Sequence, residues 1–125
     1  MIAADPRIAD VLSRGETIDI TTTGRRSGQP RRIELVYHNV DGRILISGQP
    51  GRPRSWIANL RENPRMTFHL KGSVRADLPA VARIITDREE RERLLRPIAR
   101  LWRIDHALMV RSAPLIEVTF QDQEG

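Results

Sequence analysis

The residues best suited to chemistry in this 125-residue chain form one short run, Gly24-Arg25-Arg26-Ser27-Gly28-Gln29-Pro30. Two glycines permit positive φ, so successive backbone N–H groups can turn into one concavity. Arg25 and Arg26 add charged donors and Ser27 a hydroxyl, a set that suits a phosphate or carboxylate. The spacing lacks the Gly-x-x-x-x-Gly-Lys form of a P-loop. A solvated, inert basic turn would use the same residues. A second candidate starts at Ser47-Gly48-Gln49 and runs through Arg54 into a segment carrying Trp56. A glycine- and proline-rich loop lets backbone approach a flat ligand, and a helix start supplies free N–H groups. Trp56 reads either as the wall of that cleft or as the core anchor of a short helix. A third is the row Arg32, Glu34, Val36 and His38, which faces water or lines a groove; water is the simpler reading.

Several chemistries are disfavoured. There is no Cys, hence no disulfide framework, thiol nucleophile or Cys-bearing zinc site. His38, His69 and His106 lack metal-ligand spacing, and Ser27, Ser47 and Ser55 lack a nucleophile-elbow pattern. Glu89, Glu90 and Glu92 read as a solvated helix face, and no Gly-x-Gly-x-x-Gly follows a strand. No catalytic side chain and no metal site are predicted.

The net charge of +5 invites a nucleic-acid reading. The basic residues are almost all Arg, with Lys71 the one Lys, and the acids interleave with them, as in Asp87-Arg-Glu-Glu-Arg-Glu-Arg. A nucleic-acid-binding barrel would want aromatics exposed on strands. Tyr37, Phe68 and Phe120 fall on apolar faces instead, so no nucleic-acid partner is expected. No apolar run approaches the roughly 20 residues of a membrane span. No secretory pattern is visible at Met1-Ile-Ala-Ala-Asp-Pro, and the cytoplasm is the expected location.

The elements that must position these residues follow from periodicity. Asp5-Pro6 predicts an N-cap and first helical residue, with Ile8, Val11 and Leu12 on one face and Gly15 ending the helix. Strands are predicted over 17–23, 32–38 and 43–47, with a turn at 24–30 and a hairpin at Asn39-Val-Asp-Gly42. Ile33, Leu35 and Tyr37 should face inward. A helix over 54–63 places Trp56, Ile57 and Leu60 together, and Pro64 stops it. Strands follow over 65–71, 73–78 and 80–85, the last two interrupted at Pro79. Thr86 with Glu89 has capping-box spacing for a helix carrying Leu94, Leu95, Ile98, Leu101 and Trp102, kinked or restarted at Pro97. Residues 115–120 form the last strand. Hairpin links and half-polar strands predict one mainly β domain over 1–125, an antiparallel sheet closed as a small barrel with flanking helices.

Taken together, several of these pieces are more specific than each alone. They are Ile20-Thr-Thr-Thr-Gly-Arg-Arg-Ser-Gly-Gln-Pro-Arg31, Ile33-Glu-Leu, Asp41-Gly-Arg, Ser47-Gly and Trp56-x-x-Asn59-Leu60-x-x-Asn63-Pro64. Their order and spacing resemble the deazaflavin (F420)-dependent nitroreductase family, over residues 17–71 above all. The resemblance implies the split β-barrel of FMN-binding proteins, with reduced coenzyme F420 as hydride carrier, or FMN in relatives. By position it implies that Arg25, Arg26, Ser27 and Gly28 hold the phosphate and acidic tail and that Arg31 borders the same site. Ser47, Gly48 and Gln49 would lie against the ring, and Trp56 and Asn59 would wall the cleft. The activity implied is hydride transfer to a small organic acceptor such as a quinone or nitro compound. A non-catalytic carrier of a flavin, deazaflavin or fatty-acid-like ligand is the alternative. Split barrels often form a homodimer across the sheet. Three positions depart from the family pattern: Arg26 stands for the common Lys, Ile57 for an aromatic, and Gln49-Pro-Gly for a Lys-Gly run.

Overall fold

A computed structural model describes residues 5–121. Asp5 caps α1 (Pro6–Leu12), its carboxylate accepting from the Arg7 N–H at 2.9 Å. Val11 is buried, and Ile8 and Leu12 pack partly against the same core. The strands are β1 (Thr17–Thr23), β2 (Pro30–Val40), β3 (Arg43–Ser47), β4 (Arg65–Lys71), β5 (Arg75–Ile84) and β6 (Leu115–Phe120). Three further helices are α2 (Ser55–Glu62), α3 (Arg88–Trp102) and α4 (His106–Ser112). The strands close into a barrel in the order β1-β2-β3-β6-β5-β4, with every neighbouring pair antiparallel.

Period-two alternation sends Ile18 and Ile20 of β1, Met66, Phe68 and Leu70 of β4, and Leu78, Ala80 and Ala82 of β5 into the barrel. Tyr37 and Phe68 meet edge to face with ring centroids 5.3 Å apart. A second core lies outside the barrel wall, where Leu94, Leu95 and Ile98 of α3 and Met109 of α4 cover Leu45 and Leu115. The hairpin at Asp41-Gly42 has positive φ at both residues, 54° and 82°, the geometry a two-residue turn between twisted strands requires.

Several sequence expectations are corrected. β2 is longer than 32–38, and only its second half is covered: Tyr37 is buried, whereas Ile33 is 39% exposed. His38 leaves the outward row and is buried, because Trp102 packs edge-on against it at 5.2 Å. β5 runs unbroken through Pro79. The Pro79 carbonyl accepts from Gln121 N–H, one residue beyond β6, so the missing N–H falls at the end of that ladder. Asp87, not Thr86, caps α3 by accepting from Glu90 N–H at 3.0 Å. α3 continues through Pro97 and stops at left-handed Arg103, leaving Leu101 68% exposed. α4 was not predicted: its Asp105 cap, accepting from Leu108 N–H, is hidden beside a strongly amphipathic helix. Among the described residues no helix is long and apolar enough to cross a membrane.

Candidate functional site

The β1–β2 turn, the start of β2 and the first turns of α2 enclose a cavity of about 470 Å³. Arg25, Arg26, Ser27, Arg31, Trp56 and Asn59 line it, together with Thr22, Gly24, Arg32, Ile33 and Ser55. Six of the ten predicted site residues therefore converge on one space. Gly28 belongs to the same turn without lining the cavity. Ser47, Gly48 and Gln49 lie elsewhere: Ser47 is buried at the end of β3 and donates to the Pro114 carbonyl at 2.6 Å. Gly48 sits beneath the Arg54 guanidinium, and Gln49 is exposed.

The turn is built by its glycines for two different reasons. Gly28 takes φ +70°, which only glycine adopts cheaply. Gly24 has no positive φ but no room: a Cβ there would lie 2.7 Å from Ser27 Oγ. Gly24 N–H donates to Gln29 O and Gly28 N–H to Gly24 O, while Gln29 N–H donates to Ser27 Oγ. Those amides close the turn rather than face a ligand, whereas the successive Arg26 and Ser27 N–H groups form no hydrogen bond among the described residues and stand beside the arginine side chains as candidate anion donors.

Asn59 fastens this turn to the barrel. Its side-chain oxygen accepts from Arg25 N–H at 3.1 Å, and its amide donates to Thr22 Oγ1 at 3.1 Å. Both Asn59 and Thr22 are buried. Arg32 is neutralised by Asp19 at 2.9 Å, whereas Arg25, Arg26 and Arg31 form no ion pair among the described residues. The cavity thus carries uncompensated positive charge beside one aromatic ring. Trp56 is only 4% exposed and belongs to the barrel core, yet it also borders the cavity; the two readings of this residue hold at once. Thr22, Ile33 and Ser55 were not foreseen as lining, and Arg32 stood in a row for which facing water was preferred over lining a groove. Inward alternation along β1 was the available signal for Thr22; nothing local marked Ile33 or Ser55. Among the described residues, no three His, Cys, Asp or Glu side chains gather to hold a metal ion.

Residues 3–118 match the family of F420H(2)-dependent quinone reductases. The chain belongs to that family. It is accordingly an F420-dependent oxidoreductase by family, and the deazaflavin F420 is the family's cofactor. Among solved structures, it is similar to a conserved hypothetical protein from Mycobacterium tuberculosis, with 21% identity over 94% of this chain and 81% of that one, TM-score 0.73. The F420-H2 dependent reductase FDR-A is 22% identical over 82% of this chain and 93% of that one, TM-score 0.62. A FAD-binding protein from Mesorhizobium loti is 15% identical over 94% and 87% of the two chains, TM-score 0.63. At these identities the likeness is one of fold, the split barrel of flavin-binding proteins.

Proposed function

We propose that the chain binds reduced F420 in the cleft between the β1–β2 turn and α2 and reduces a small organic acceptor there, a quinone first and a nitro compound second. The observation that carries this reading is the convergence of Arg25, Arg26 and Arg31, free of ion pairs among the described residues, on a cavity bordered by Trp56. The residues fit the group: its phosphate and acidic tail need charged donors, and its flat ring needs an apolar edge. When bound, F420 supplies the hydride, and the protein supplies binding, orientation and a dry wall.

Arg25, Arg26 and Arg31 hold the anionic portion with charge-assisted hydrogen bonds. Asn59 keeps Arg25 in place, since it grips that residue's backbone and, at 3.4 Å, its guanidinium. Trp56 and Ile33 exclude water from one side of the cleft. Ser55 opens α2 and lines the cavity, so its hydroxyl is one neutral donor available there to polarise an acceptor oxygen. No carboxylate or imidazole lines the space, which leaves water as the proton source.

The test is fluorescence titration of the purified protein with F420 and with FMN, then reoxidation of the bound reduced form by quinones and nitro compounds. Arg26→Ala should weaken F420 binding by about 1.5–3 kcal/mol, the scale of a charged hydrogen bond, with unchanged circular dichroism. Wild-type affinity in Arg25→Ala/Arg26→Ala would overturn the site. Tight binding without reoxidation by any acceptor would instead make the protein a carrier.

A further inference from the structure

Two basic cavities flank α2. The second, of about 520 Å³, opens between the 48–54 loop, the other face of α2, the end of β5 and the α4–β6 connection. Arg52, Arg54, Arg61, Arg91 and Arg111 line it, and no Asp or Glu does. None of the five forms an ion pair among the described residues. This contrasts with Arg91's neighbour in the same first turn of α3, Glu90, which with Glu117 is shared by Arg43 and Arg83 at 2.6–2.8 Å.

The cavity is held in shape by contacts that leave its charge intact. Arg91 donates to four backbone carbonyls, Ile85, Met109, Val110 and Ala113, at 2.6–3.1 Å. It closes the C-terminal end of α4 and keeps its full positive charge, since its partners are neutral dipoles. Arg54 donates to Arg52 O at 2.9 Å and lies over Gly48, where a Cβ would be 2.9 Å from the guanidinium. Burial and the neighbouring Arg52 hold Arg54 below the usual arginine range, as expected of a cation without a counter-ion. Gly51 N–H donates to Ser112 O at 3.1 Å and ties the loop to α4. The apolar part of the lining comes from Ile57, Ile84, Pro114 and Leu115.

We infer that this cavity is a second anion site, separate from the cofactor cleft, for a small ligand bearing two or more phosphate or carboxylate charges and a short apolar portion. Five guanidiniums without a carboxylate partner around one concavity match a compact polyanion: Arg52, Arg61 and Arg111 offer forked donors to oxyanions, while Arg91 and Arg54, whose donors are wholly or partly spent on backbone carbonyls, add positive charge. No aromatic side chain lines the cavity, so the stacking platform of a single-stranded nucleic-acid site is missing. Ser55, Trp56 and Asn59 of α2 face the first cavity, whereas Ile57, Ala58 and Arg61 face the second. The helix thus separates the two.

The probes are tripolyphosphate and citrate, titrated calorimetrically at physiological salt into the full chain with Arg25→Ala/Arg26→Ala blanking the first cavity. Saturable binding of one molecule per chain is expected. Adding Arg61→Gln/Arg111→Gln should weaken it about 100-fold, roughly tenfold per charged contact. Arg61→Lys/Arg111→Lys should retain most of it. In the otherwise wild-type chain, Arg61→Gln/Arg111→Gln should leave F420 affinity unchanged, and saturating F420 should not displace the probe. Preference for tripolyphosphate supports a phosphorylated ligand, and equal or tighter citrate binding a polycarboxylate. No saturation below about 1 mM, or displacement of the probe by F420, overturns the inference. The probe titration requires no F420 binding, so its outcome is independent of the cofactor assignment.

Discussion

Asn59→Ala tests whether one buried amide sets the position of the anion-binding turn. Asn59 is 3% exposed and joins Arg25, on the β1–β2 turn, to Thr22, itself 2% exposed. Truncation removes one acceptor from the Arg25 N–H and one donor from Thr22 Oγ1. Two hydrogen bonds at about 1 kcal/mol each, plus part of the cost of stranding buried polar groups, give about 2–4 kcal/mol. For a domain of this size, each kcal/mol moves the melting temperature by roughly 3–5 °C, so a fall of about 6–20 °C is expected. The turn would also lose its anchor, and F420 affinity should drop by about tenfold or more, although Asn59 supplies no charge. Thermal unfolding by circular dichroism and titration of F420 fluorescence read the two effects separately. Asn59→Asp keeps an acceptor for Arg25 and lets the Thr22 hydroxyl donate, so it should recover much of the binding. A variant that melts low yet binds F420 like wild type would refute the positioning argument. One that melts like wild type would refute the energetic estimate.

Trp56→Phe should show both of the roles the structure gives this side chain, losing about 1–3 kcal/mol of stability by shrinking a packed ring and changing F420 affinity. Stability loss with unaltered binding would remove Trp56 from the cleft wall. Acid should weaken the fold in two stages, read as urea midpoints against pH. Burial lowers the His38 pKa, so the unfolded chain takes up the proton first; its contribution is complete above about pH 7 and drains as pH falls below about 6.5. His38→Phe should flatten that limb. Arg83 and Arg43 hold Glu90 down to about 2, so its contribution is present above about pH 4.5 and is lost as pH falls toward that value. Glu90→Gln should flatten this lower limb and cost about 1–2 kcal/mol at neutral pH, since Arg83 is half-exposed and screened.

What the sequence determines here is short-range. Alternation in Thr17–Thr23, Arg43–Ser47, Arg65–Lys71 and Leu115–Phe120 specifies strands with a definite inner face, because side chains reverse at every residue. Asp5-Pro6 and Asp41-Gly42 mark a helix start and a hairpin turn, because cap and turn chemistry act over two to four residues. The basic turn was legible as a candidate anion site for the same reason. Tertiary structure decided what depends on which distant segments meet. Pairing of β1 with β4 closes the barrel, and it is that closure that leaves Ile33 at a cavity mouth while Trp102 covers His38. Asn59 and Arg25 are 34 residues apart, so no local pattern could show that one holds the other. The arginines of the second cavity come from the 48–54 loop, α2, α3 and α4, and each looks like an ordinary surface charge in its own segment. Their convergence is a property of helix placement on the barrel, set by packing of apolar faces that carries no information about the charges riding on them.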